Sequence, residues 1–136
     1  SASCNTVVAK QGGPALNGLY GVTGLPVAHI DSVTGKGKEV FEKYKEKYGN
    51  YPSEVGQFGY MVADLTVMAL ENAGRDLTTE SFTDGMEAIK GFHNYFNGPS
   101  ISFSETQHKG SDESALVWIQ EGRWVYPDGK RRVLTY

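Results

Sequence analysis

Tyr44-Lys45-Glu46-Lys47-Tyr48-Gly49-Asn50-Tyr51-Pro52-Ser53 decides the fold, because it stops one helix and starts another. Upstream, Val40, Phe41, Tyr44 and Tyr48 recur at i, i+1, i+4 and i+8, which is one face of a helix running from about Gly37 to Tyr48. Gly49 is the expected stop, since glycine adopts the left-handed conformation that ends a helix without a Cβ clash. Pro52 makes the turn. Ser53 can then cap the next helix by accepting from its first free amides, with Glu54 placed favourably in the first turn. The apolar positions Val55, Phe58, Met61, Val62, Leu65, Met68 and Ala69 form a wide stripe, so the second helix is expected to be largely buried. Gly74 ends it.

Working outward, Thr78 reads as the N-cap of a third helix from about Thr79 to Lys90, with Phe82, Met86 and Ile89 on one face. Pro99 blocks any helix, and Ser100 to Phe103 alternate polar and apolar as a strand should. Ala115 to Gln120 is a strong strand, Glu121-Gly122 a tight turn, and Arg123 to Tyr126 the hairpin partner. Trp118 and Trp124 are then expected to pack across the paired strands. Towards the N-terminus, Asn5 can cap a short helical run through Val7, Val8 and Ala9, and Leu19 to Leu25 reads as a strand bounded by glycines and Pro26. The tail after Pro127-Asp128-Gly129 is left open between a last strand and disorder.

Composition narrows the function. The 136 residues are enough for one domain with a real core, and the apolar and charged fractions are those of an ordinary globular protein. A net charge of −3 gives no case for nucleic acid. The basic run Lys36 to Lys47 alternates with Glu39, Glu42 and Glu46 and reads as a solvated helix face, with Glu39 and Lys43 spaced to pair. A single cysteine, Cys4, excludes an intrachain disulfide. Ala2-Ser3-Cys4 has no apolar run before it that would make it a lipoprotein processing site. No apolar stretch approaches the ~20 residues of a membrane helix.

Catalytic and metal chemistry find no footing. His29, His93 and His108 have no ligand spacing, and no second cysteine assists them, so no metal site is expected. No Gly-x-Ser-x-Gly elbow supports nucleophilic catalysis, and nothing marks Cys4 as activated. Gly35-Lys36-Gly37-Lys38 lacks the P-loop pattern and reads as a flexible helix entry. Glu105, Asp112 and Glu113 lack the regular spacing of a calcium loop. No cofactor is implied.

The helix–Gly–Pro–helix unit from Tyr44 to Gly74 is succeeded by Asp76-Leu77-Thr78, by Gly98-Pro99-Ser100-Ile101-Ser102-Phe103 and by Glu121-Gly122-Arg123-Trp124-Val125. In that order and spacing the chain resembles the C-terminal part of a type I periplasmic solute-binding protein, in the branched-chain amino acid (leucine/isoleucine/valine) branch that feeds ABC importers. The resemblance covers nearly all of the chain up to about Gly129. It implies an α/β fold, part of a two-lobed clamshell and incomplete as a standalone domain. Residues 1–25 would end the second lobe, 26–97 would supply first-lobe helices, and 98–136 would cross back and finish the second lobe. The partners implied are a small-molecule ligand (an amino acid or small organic acid), a membrane permease and the N-terminal part of the same protein. The location implied is periplasmic or otherwise extracytoplasmic.

The same resemblance implies the site. Ser1 falls about where amino-acid-binding members carry the acidic partner of the ligand ammonium, a charge that serine cannot supply. This favours an aromatic carboxylate, an amide or a similar small organic ligand. Asn5 comes next on the same side of the cleft. Across it, the start of the second helix offers Gln57 as donor and acceptor, and Phe58 or Tyr60 as a ring for an apolar group, with core packing as the alternative role of Phe58. The mechanism implied is noncatalytic capture by lobe closure, with a ligand-sensing receptor of the same fold as the alternative. The 136-residue chain by itself is expected to bind ligand weakly and, with an incomplete sheet, to be prone to self-association.

Overall fold

The computed structural model describes residues 4–135. Helix α1 (Thr6–Gly12) starts at Asn5, whose Oδ1 accepts from the backbone N–H of Val7 and Val8 at 2.9 and 3.2 Å. Strand β1 (Tyr20–Thr23) comes after a short 3-10 turn, and a connecting segment then leads to α2 (Gly35–Tyr48). Gly49 ends α2 at φ 78°, the left-handed conformation that its lack of a Cβ permits. Ser53 opens α3 (Glu54–Ala73), its side chain accepting from Gly56 N–H. Thr78 caps α4 (Thr79–Glu87) in a reciprocal box with Ser81. The chain closes with β2 (Glu113–Gln120), β3 (Arg123–Val125) and β4 (Val133–Thr135).

The sheet is built on β2. Strand β1 pairs antiparallel along one edge, with Tyr20 opposite Trp118 and Thr23 opposite Ala115. Strands β3 and β4 pair antiparallel on the other edge, at Trp118–Gln120 and Glu113–Ala115 respectively. The β2–β3 turn is Glu121-Gly122, with φ of 51° and 74°. Two consecutive positive φ values match the two-residue turn whose twist suits a hairpin. Residues Ala115, Val117, Ile119 and Trp124 turn inward on α1 and bury Cys4 and Ala9. Gly21 is required beneath them: a Cβ there would lie 2.6 Å from Cys4 Sγ and 3.2 Å from the Trp124 ring. Tyr20, Val22 and Leu134 stay exposed on the other face.

Two further cores serve the helices. Met61, Leu65 and Ala69 of α3 pack with Ile89 and Ile101, against Phe82 and Met86 of α4. Phe41 of α2 packs with Ala28, Val33 and Phe96, its ring 5.7 Å from that of Phe96. The α3–α4 crossing is tight at Gly85, where an added Cβ would stand 2.4 Å from Ala69 O and 3.1 Å from Ala73 N, both backbone atoms. A Gly85→Ala variant is therefore expected to lose about 1–3 kcal/mol in chemical denaturation despite its better helix propensity.

Several expectations are corrected. Ser100 to Phe103 form no strand, only an isolated bridge in which Phe92 and Ile101 exchange both backbone hydrogen bonds. Helix α4 ends at Glu87, because Ile89 N–H turns back to Met86 O in a tighter turn. Helix α3 is buried along one side only: Val55, Phe58, Val62 and Leu70 are exposed, since the described chain provides no element to cover them. The tryptophans pack across paired strands as expected, though with different partners and on opposite faces. Register puts Trp118 beside Tyr20, with ring centroids 5.7 Å apart, and Trp124 beside Ile119 on the inward face. Among the described residues Glu39 and Lys43 form no ion pair. Lys45 instead lies over the Tyr51 ring at 4.6 Å.

Candidate functional site

The first turn of α3 is where separate parts of the chain converge. Ser53 fixes the helix start, and positions 54 and 57 then fall on one face. Both side chains are 1% exposed. Gln57 turns to the connecting segment after β1. Its Oε1 accepts from Ala28 N–H at 3.0 Å, and its Nε2 donates to Ala28 O at 2.9 Å and to Pro52 O at 3.2 Å. The amide thus holds both backbone groups of one residue.

Glu54 turns the other way, to the start of α1. Thr6 N–H donates to Glu54 Oε2 at 2.9 Å, and the Thr6 hydroxyl lies 2.9 and 2.8 Å from the two carboxylate oxygens. No cation pairs with this carboxylate among the described residues. Its burial is tolerated because it sits in the first turn of α3 and accepts the first amide of α1. Two helix N-termini therefore direct positive dipole ends towards it.

The segments that join these parts are pinned by Tyr126. Its buried hydroxyl accepts from Val27 N–H at 3.2 Å and donates to Asn97 O at 3.0 Å. Burial pushes the Tyr126 phenol above its ordinary value, so it remains a neutral donor. Beside it, His29 Nε2 lies 2.6 Å from Trp124 O, and Arg123 pairs with Asp31 at 2.9 Å. Between these groups and Phe96 lies a cavity of about 270 Å³.

Of the residues singled out from sequence, Gln57 and Tyr60 line a second cavity of about 350 Å³ between α2 and α3, with Tyr44, Tyr48 and Phe96 as aromatic walls and Lys47 at the rim. Tyr60 meets Phe96 edge-on at 5.8 Å and remains 37% exposed. Phe58 is 39% exposed and does not line that cavity; it lies on the uncovered side of α3. One turn beyond Tyr60, Asp64 has an Oδ2 with no hydrogen-bond partner. Desolvation raises its carboxyl above the usual range, against the opposing pull of Lys36. Asn5 caps α1, and its carbonyl accepts from Trp124 Nε1 at 3.0 Å. Ser1 lies outside the described residues. Sequence reasoning misses Glu54, Thr6 and Tyr126 as site residues. A glutamate after an N-cap serine reads as a solvated dipole partner, and nothing local announces a contact 48 residues away.

Among the described residues, no group of three His, Cys, Asp or Glu side chains comes together, and no helix is long and apolar enough to cross a membrane. The arrangement offers buried polar pins, aromatic walls and cavities, which suit binding.

Solved structures share this architecture. A leucine-binding protein from Thermotoga maritima superposes with a TM-score of 0.68 at 23% identity, over 96% of this chain and 34% of that one. A branched-chain amino acid ABC transporter protein from Thermus thermophilus with bound valine gives 0.74 at 20% identity, over 97% and 37%. A solute-binding protein from R. palustris in complex with benzoate gives 0.63 at 18% identity, over 87% and 31%. The chain spans about a third of the length of each. No curated protein matches it. The fold is thus part of the type I periplasmic-binding-protein fold that these solved structures share. Residues 2–123 match the family described as periplasmic binding protein, and the chain belongs to that family.

Proposed function

We propose that this chain forms the C-terminal part of an extracytoplasmic solute-binding protein that serves an ABC importer for branched-chain amino acids or related small organic acids, aromatic acids included. The observation that carries this reading is the family match over residues 2–123. Neighbours of the same fold bind valine and benzoate, both small carboxylates with an apolar body. In this reading residues 1–25 and 98–136 belong to one lobe and 26–97 to the other. The ligand lies between them, near the start of α3. Capture is noncatalytic: ligand bridges the lobes and shifts the population towards the closed form, which a membrane permease then engages.

The exposed apolar side chains of α3 support a ligand-facing or partner-facing role for Phe58, which stays 39% exposed in this chain. The test is calorimetry on the full gene-encoded protein with a panel of branched-chain amino acids and aromatic carboxylates. Binding of one class at micromolar strength is expected. Phe58→Ala is expected to weaken it by about tenfold while leaving thermal stability near that of the parent, because a buried ring contact with ligand is lost and no core contact is. Binding of none of these solutes by the full protein overturns the reading.

A further inference from the structure

The contact between Glu54 and Thr6 differs in kind from the other polar contact made by the same helix turn. Gln57 ties α3 to Ala28, at the head of the segment that leads into α2, within residues 26–97. Glu54 ties α3 to the start of α1, in the segment that packs on the sheet. The two side chains are one helical turn apart and equally buried.

We propose that Glu54 and Thr6 form a closure latch: a hydrogen-bonded clasp between the two lobes that forms when the clamshell closes and parts when it opens, while Gln57 and Ala28 stay joined throughout. This rests on the lobe assignment of the proposed function. The chemistry suits a separable contact. A carboxylate bound by one N–H and one hydroxyl, with no cationic partner among the described residues, can return to water without stranding a buried cation. The α1 end favours it only while the two are close, because the effect of a helix dipole fades within a turn. Gln57 could not part in the same way, since separation would strand both polar groups of Ala28.

The experiment uses the full gene-encoded binding protein, labelled at Lys10→Cys in α1 and Glu80→Cys in α4, both exposed positions, with Cys4 buried and spared. Pulsed electron spin resonance reads the separation of the labels with and without a solute that the protein binds. Thr6→Val and Glu54→Gln are each expected to move the solute-free distribution towards longer separations, to speed solute release, and to weaken affinity by about tenfold. Thr6→Val keeps the side-chain shape and is the variant expected to fold unperturbed. A latch predicts that the two substitutions together cost little more than either alone. Unchanged separations in both variants overturn the proposal, even if thermal stability falls, because that is the signature of a mere brace. The distance measurement needs no ligand. Variant-dependent separations in a protein that answers to no solute would therefore uphold the latch and sink the proposed transport role.

Discussion

Replacing Gln57 by leucine is expected to destabilise the chain by about 3–5 kcal/mol in urea or guanidinium titration. Leucine roughly preserves the volume, so the loss isolates the polar chemistry. The native amide satisfies Ala28 N–H, Ala28 O and Pro52 O at 3.0, 2.9 and 3.2 Å, in a site where Gln57 is 1% exposed. Removing it leaves buried backbone groups unpaired, and each such orphan costs about 1–3 kcal/mol. Gln57→Glu separates the two halves of the clamp: its carboxylate can still accept from Ala28 N–H but cannot donate to the two carbonyls, so a loss of comparable size is expected. A Gln57→Leu loss below about 1 kcal/mol would mean that water or a backbone shift satisfies Ala28, and that α3 does not anchor the connecting segment. The variant should also show faster amide exchange at Ala28.

The helices and hairpin are legible because their signals are local. Phe41 and Tyr44 share a helical face, Gly49 needs its left-handed turn, Ser53 and Thr78 cap α3 and α4, and Glu121-Gly122 forces the hairpin. Each is decided within a few residues. Errors arise where the outcome depends on the surface lying opposite. Ile101 has only Phe92 to pair with, so an alternating pattern that reads as a strand becomes one bridge. Phe58 and Val62 have the right spacing for burial, but burial needs a covering surface, and periodicity carries no information about whether one exists. Both tryptophans pack across paired strands, as their positions suggest, but the sequence does not show on which face. Register, which a single residue can reverse, sends them to opposite faces.

The candidate site is less legible for the same reason. Gln57 stands out in the sequence as a group that can donate and accept, and it does both, towards Ala28. Tyr60 stands out for its ring, which meets Phe96 and walls a cavity. Glu54 escapes notice because its partner, Thr6, is chosen by the docking of α1 against the rest of the chain. Long-range polar pairings of this type are set by tertiary packing and leave no local spacing to read.

Trp124→Ala is expected to cost about 3–5 kcal/mol, and to cost it unevenly. The ring is 2% exposed and fills the space between β3, Gly21 and Cys4, while its Nε1 donates to Asn5 O at 3.0 Å. Alanine leaves a cavity in the sheet core and removes the indole N–H that donates to the carbonyl of the residue that caps α1. The other two cores do not include Trp124: one holds Met61, Leu65 and Ala69, the other Phe41 and Phe96. If residues 26–97 form a unit separate from the segments that pack on the sheet, hydrogen exchange in the variant should lose protection in β1, β2 and α1 first. Amides in the middle of α3 and in α4 should keep theirs, because local openings track cooperative units and not the chain as a whole. An equal fall in protection across all helices and strands would show one cooperative body. It would remove the physical ground for treating the sheet segments and the helical segment as two lobes able to move against each other.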